Sequence, residues 1–149
     1  MRIRALSVVV LVVATLGLAG CSSSGADSAA PASASAVASM PVPDAPQRVD
    51  AATFAAALAT PGITVIDVRR PEEFSAGHID GAVNFNVEGA DFAAQVAALD
   101  PTKTYAVYCH SGNRSQVAVA QMSQAGIQHI YELESGISGW QAAGYPVVS

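Results

Sequence analysis

The run YAVYCHSGNRSQVAVA, Tyr105 to Ala120, constrains the fold more than any other stretch of this chain. Thr104–Cys109 is apolar, aromatic and β-branched, the composition of a strand covered on both faces. Ser115–Ala125 has helix chemistry and is ended by Gly126. Only His110–Arg114 lies between them. A buried strand that passes so directly into a helix is half of a βα unit, and such units build parallel sheets.

The rest of the chain repeats this alternation. Asp50–Ala59 reads as a helix with an acidic start, stopped by Pro61 and Gly62. Ile63–Val68 reads as a second buried strand. Pro71–Phe74 opens a short helix with proline and two acids in its first turn. Ala82–Phe85 offers a short strand after Gly77 and Gly81, and Asp91–Leu99 a further helix with an acidic cap. His129–Leu133 is a third buried strand candidate, and Gly136–Gly144 a closing helix. The expected fold is α/β: a small three-layer domain with a mostly parallel central sheet flanked by helices. Ligands of such sheets bind beyond the carboxyl ends of the strands. Asp67-Val68-Arg69 and the Cys109 loop both fall at such ends.

The domain occupies only part of the 149 residues. Arg2 and Arg4 precede an uncharged apolar run, Ala5–Leu18, and then LAGC, Leu18–Cys21. A basic start, a short apolar stretch and small residues describe a secretory signal, expected over residues 1–20. The LAGC step resembles the bacterial lipobox, which implies cleavage before Cys21 and lipidation of its sulfur. A plain signal peptide with an incidental Cys21 is the alternative. Residues 21–46 are Ser, Ala and Pro with few large apolar groups, a composition that cannot offset the entropy of ordering. They are expected to form a disordered tether, leaving residues 47–149 as the folded domain. The expected location is the cell envelope, lipid-anchored on the outer face of the cytoplasmic membrane or periplasmic. The net charge is −5 with no basic patch, which argues against nucleic acid as a partner.

The cysteine count then matters. There are two, and lipidation of Cys21 leaves Cys109 as a free thiol in an exported protein. Cys109 ends a strand, Gly112 permits unusual backbone angles, and the following helix begins with unpaired N–H groups at the positive end of its dipole. Such a loop is an anion-binding concavity, and a thiolate placed there is stabilised as a nucleophile. Arg114 carries the wrong sign for a helix N-terminus, so an anion is expected beside it. The plainer reading is a small buried cysteine followed by ordinary turn residues.

Three stretches together carry a family resemblance: VIDVRRPEEFSAGHIDGAVNF (Val65–Phe85), YAVYCHSGNRS (Tyr105–Ser115) and SGISGWQAAGYPV (Ser135–Val147). The domain from Gln47 onward resembles a single-domain rhodanese. The resemblance implies a sulfurtransferase in which Cys109 takes a sulfane sulfur as a persulfide and hands it to a nucleophilic acceptor. It implies a donor such as thiosulfate, an acceptor such as cyanide or a thiol, and no metal or cofactor. A partner protein's thiol is a further acceptor it allows. His110, Ser111, Gly112, Asn113 and Arg114 would form the cradle. Phosphatase relatives of the fold place five residues between cysteine and arginine, and the four here suit a persulfide sulfur better than phosphate. Asp67 and Arg69 resemble a charged pair close beneath the loop, fixing it by ion pairs and hydrogen bonds. Glu73 resembles a partner of one arginine, while His78 and Trp140 read as structural. Ser135 stands where the family often has a glycine, at a place expected to lie away from the loop. The alternatives are a non-enzymatic persulfide carrier or binding module serving a partner protein, and a phosphatase or arsenate reductase of related fold.

Overall fold

The computed structural model describes residues 39–149. The expected signal peptide, Cys21 and the first part of the expected tether lie outside the described residues.

The alternation read in the sequence becomes five strands and five helices in the described residues. They run β1 (Gln47–Val49), α1 (Ala51–Leu58), β2 (Thr64–Asp67), α2 (Pro71–Ala76), β3 (Val83–Asn84), α3 (Phe92–Ala97), β4 (Tyr105–Tyr108), α4 (Asn113–Gln124), β5 (Ile130–Leu133) and α5 (Gly136–Ala142). The sheet order is β1-β5-β4-β2-β3. Every neighbouring pair is parallel, so all strand ends that face one way belong to one edge of the sheet.

The side-chain period of two sorts the strands into two cores. Tyr105, Val107 and Cys109 join Ile66, Val68 and Ile130 on the face covered by α3 and α4, with Phe92, Val96, Ala118 and Met122. Ala106 and Tyr108 join Val65, Tyr131 and Leu133 on the opposite face, under Phe54 and Ala57 of α1 and Ile137 and Trp140 of α5. The strands are therefore apolar on both faces, as a parallel sheet between two helical layers requires. Trp140 packs in this second core, edge-on to Phe54 at 6.0 Å, and donates its indole N–H to the Pro146 carbonyl at 2.8 Å.

Several element bounds differ from the sequence reading, each for a physical reason. Strand β1 was not expected: three half-polar residues carry no strand pattern alone, and they become one by pairing with Tyr131–Leu133. Helix α1 is capped as expected, the Asp50 carboxylate accepting the Thr53 N–H at 2.8 Å. Asp91 precedes α3 but makes no side-chain cap bond. Helix α4 begins at Asn113 rather than Ser115, which moves Arg114 into its first turn. Contacts to the body begin before Gln47. The Met40 N–H donates to Thr60 Oγ1 at 2.9 Å, the Pro43 carbonyl lies 2.6 Å from a His129 ring nitrogen, and the Tyr131 hydroxyl donates to the Pro41 carbonyl. The last residues assigned to the tether are thus docked on the domain.

Candidate active site

Cys109 follows β4, the middle strand of the sheet, at its carboxyl end. The chain must turn there from extended to helical backbone. Gly112 makes the turn at φ +87°, a left-handed conformation that suits glycine. It is also hemmed in, since a Cβ there would come within 1.9 Å of the Glu134 carbonyl oxygen. The turn folds the Gly112 N–H back onto the Cys109 Sγ at 3.2 Å. The sulfur is nearly sealed, with Cys109 1 % exposed.

The loop is braced from outside. At the start of α5 the Ile137 N–H donates to the Cys109 carbonyl at 2.8 Å, and the Ser138 N–H to the His110 carbonyl at 3.1 Å. Gly136 allows this approach, because a Cβ there would lie 2.4 Å from the His110 carbonyl group. The turn that contains Ser135 therefore lies against the loop, contrary to the expectation that it lies away from it. Its two neighbours, Glu134 and Gly136, form part of the wall.

The loop's own donors remain. Among the described residues the N–H groups of His110, Ser111, Asn113 and Arg114 have no acceptor, and those of Asn113 and Arg114 belong to the orphan first turn of α4. Ser111 and Asn113 are exposed. His110 is exposed too, its Nε2 3.2 Å from Ser138 Oγ. Beside it opens a cleft of about 200 Å³ lined by Arg69, Glu73, Gly77, Ile137 and Gln141 among others.

Arg114 has the anion that its position demands, and the protein supplies it. Glu73 accepts from Nη1 and from Nη2, both at 2.7 Å. Those bonds pull the Glu73 carboxyl down to about 2, against the opposing effect of burial and with help from the Arg70 N–H. Glu88 lies 3.7 Å from Arg114 and 2.8 Å from Arg70, extending the charge pair into a row on the rim.

Asp67 and Arg69 form a buried pair, with Nη2 to Oδ2 at 2.6 Å and Nε within 3.0 Å of both oxygens. Their remaining bonds differ from the expectation. Arg69 donates to the Gly77 carbonyl at 2.7 Å, and no hydrogen bond from the pair to His110–Arg114 occurs among the described residues. The pair braces the β2–α2 connection and touches the Cys109 segment through Tyr108, whose ring lies 5.7 Å from the guanidinium. Asn84 completes that brace by donating to the Asp67 and Arg69 carbonyls at 3.0 and 2.8 Å. His78 is stacked on Phe74 and pairs its backbone with Val148, the structural part read for it.

Sequence reasoning missed the group behind the sulfur. Ser115 Oγ lies 3.6 Å from Cys109 Sγ and donates to Glu132 Oε1 at 2.7 Å. The other oxygen of Glu132 faces Arg48 Nε at 3.2 Å. Ser115 and Glu132 are 0 % and 2 % exposed. One signal was available: Glu132 alternates with Ile130 in β5, so an acid points into a face that is otherwise apolar.

A family profile described as a rhodanese-like domain matches residues 50–143. The chain belongs to the rhodanese-like family. Among curated relatives, the thiosulfate sulfurtransferase GlpE of Pseudomonas aeruginosa (strain LESB58) is 38 % identical over 86 residues, 57 % of this chain and 74 % of that protein. The thiosulfate sulfurtransferase GlpE of Pseudomonas entomophila (strain L48) is 37 % identical over 93 residues, 62 % of this chain and 82 % of its own. A rhodanese-related protein from Thermoplasma volcanium has the same fold, with a TM-score of 0.61 and 36 % identity over 68 % of this chain and 97 % of that one. A rhodanese-like domain from Anabaena sp. superposes with a TM-score of 0.62 at 28 % identity, over 68 % and 78 %. At the level of family, this rhodanese-like domain groups with sulfurtransferases.

Proposed function

We propose that the chain is a sulfurtransferase of the thiosulfate type, acting through Cys109 in the cell envelope. One observation carries the reading: the Cys109 sulfur begins a four-residue loop and already accepts from the Gly112 N–H, while the other N–H groups of that loop have no acceptor among the described residues. The thiolate attacks the outer sulfur of a donor such as thiosulfate. A sulfur–sulfur bond forms at Cys109, and the donor's own sulfur–sulfur bond breaks, its electron pair leaving with sulfite. Backbone N–H groups stabilise the charge on the bound sulfur, as they do in oxyanion sites. An acceptor such as cyanide or a thiol then attacks the outer sulfur, and the Cys109 thiolate departs. No metal or cofactor enters either step. His110–Arg114 form the cradle, and Asp67 with Arg69 supports the strand end next to it.

Phosphate chemistry fits this loop poorly. Its arginine is already held by two carboxylate bonds, and the ring has one residue fewer than the phosphatase pattern. The signal peptide, a lipid on Cys21 and a tether that runs from Cys21 to the segment docked from Met40 onward complete the proposal as an anchored enzyme facing away from the cytoplasm. The test supplies thiosulfate and cyanide to the protein and measures thiocyanate, with intact mass read before and after cyanide. Thiocyanate formation that disappears in Cys109→Ser supports the reading. A persulfide that forms without turnover would instead mark a carrier that needs a partner protein. Absence of both persulfide and thiocyanate would sink it.

A further inference from the structure

We propose that Ser115 and Glu132 form a proton relay behind Cys109, in which the charge on Glu132 sets whether the sulfur is thiol or thiolate. The inference rests on reading Cys109 as the reacting thiol, and it concerns how that thiol is switched on.

The geometry limits the choices. A serine hydroxyl has one proton to donate. It lies between two groups that both want it, Glu132 Oε1 at 2.7 Å and Cys109 Sγ at 3.6 Å. While Glu132 is ionised, the proton goes to the carboxylate. The lone pairs of Ser115 then face the sulfur and favour the S–H form. When Glu132 is protonated, the carboxyl donates to Ser115, and the serine hydroxyl turns to the sulfur and favours the thiolate.

The two states interconvert by one balanced shift. The thiol proton passes to Ser115 Oγ as the hydroxyl proton passes to Glu132 Oε1. One S–H and one O–H bond break, two O–H bonds form, and the negative charge moves from carboxylate to sulfur. The proton stays on Glu132 while the sulfur holds its cargo.

The surroundings poise this exchange. Glu132 lies against Ser115 of α4 and Arg48 of β1, and feels the carboxylate of Glu134 just past the end of β5. Burial raises the carboxyl above the ordinary carboxylate range; the Ser115 bond and Arg48 oppose that rise, and Glu134 adds to it. Around the sulfur stand the Gly112 N–H and the Arg114 guanidinium, the latter tied to Glu73 and Glu88. One oxygen of Glu132 is turned to the hydroxyl that touches the thiol. Ser115 and Glu132 are thus positioning residues.

The test measures the rate of iodoacetamide labelling of Cys109 against pH, located by peptide mass, in the full chain. The wild-type profile should show two coupled steps. Glu132→Gln should move the profile to lower pH and raise labelling near pH 6 about tenfold, the equivalent of about one pH unit. Ser115→Ala should give a single step and should make Glu132→Gln silent when the two are combined. Ser115→Thr keeps a hydroxyl and should keep two steps. Thermal melts check that each variant is folded, and Ser115→Ala against Ser115→Thr carries the test if Glu132→Gln is not. A Glu132→Gln profile that superimposes on wild type, or an equal shift with and without Ser115, overturns the relay, as does a one-step wild-type profile. Labelling needs no sulfur donor. A protein that titrates as described yet makes no thiocyanate overturns only the sulfurtransferase reading.

Discussion

Glu73 holds Arg114 with both carboxylate oxygens, each 2.7 Å from a guanidinium nitrogen. The arginine of the loop therefore arrives already neutralised. Its charge is shared between a helix N-terminus that disfavours it and a carboxylate forty-one positions earlier in the chain that compensates it. What remains to greet a bound sulfur is mostly the backbone.

The pair makes stability depend on acidity in a definite direction. Glu73 titrates at about 2 in the folded protein and at its ordinary 4.5 when the chain opens. Its stabilisation is complete above the higher value and is lost as pH falls through the lower one. Both side chains are partly exposed, 30 % and 26 %, so the pair is worth about 1 kcal/mol rather than the full shift. Urea unfolding should find Glu73→Gln less stable than wild type at neutral pH, with the difference shrinking as pH falls below 4.5 and vanishing only below about 2.

Gly112→Ala should be far more damaging than a methyl group suggests. The new Cβ would collide with the Glu134 carbonyl and hold an alanine at positive φ. Strain and overpacking together should cost about 3 kcal/mol or more. The loop should also lose its Gly112 N–H bond to the sulfur, so Cys109 labelling and thiocyanate formation should fall together. Unfolding midpoint and labelling rate check both effects.

Asp67→Asn should destabilise the domain by about 3–5 kcal/mol, because it leaves the Arg69 guanidinium buried without its counter-charge. Arg69 is 5 % exposed, and its other acceptor among the described residues is the Gly77 carbonyl. Replacing both residues with apolar ones of similar size should cost less than the single change. Chemical denaturation of the two variants beside wild type tests the order.

A chain shortened to begin at Gln47 should be less stable than one that begins at Ser39. It forfeits the bonds from Met40, Pro41 and Pro43 to Thr60, Tyr131 and His129. Their loss should amount to about 1–3 kcal/mol at about 1 kcal/mol for each hydrogen bond. Differential melting of the two chains decides it.

The central elements were legible because each advertised itself locally. Strand β4 is a continuous apolar run, α1 starts with a capping Asp50, and Gly126 stops α4. The cysteine loop could be read from its residues in order. What stayed hidden was made by long-range pairing. Strand β1 exists only through its partner β5, so its sequence alone has no period to find. Arg48, Ser115 and Glu132 lie far apart in the chain and meet only because β1 and α4 both flank β5. The expected anion beside Arg114 followed from the dipole, but the dipole does not say whether a ligand or the protein provides it. Asp67 and Arg69 stand two residues apart and pair locally, while the turning of Arg69 to Gly77 depends on the path of a loop that the sequence does not reveal.

Two glycines from separate turns interlock at the site, Gly112 beneath the Glu134 carbonyl and Gly136 against the His110 carbonyl. The width of the ring is therefore not a private property of the residues between Cys109 and Arg114. It is clamped by the turn before α5, which leaves no room for a longer loop to swell into. Converting this ring to one that accepts phosphate would need residues 134–138 rebuilt in the same step as the inserted residue, so neither change alone offers a route from one chemistry to the other.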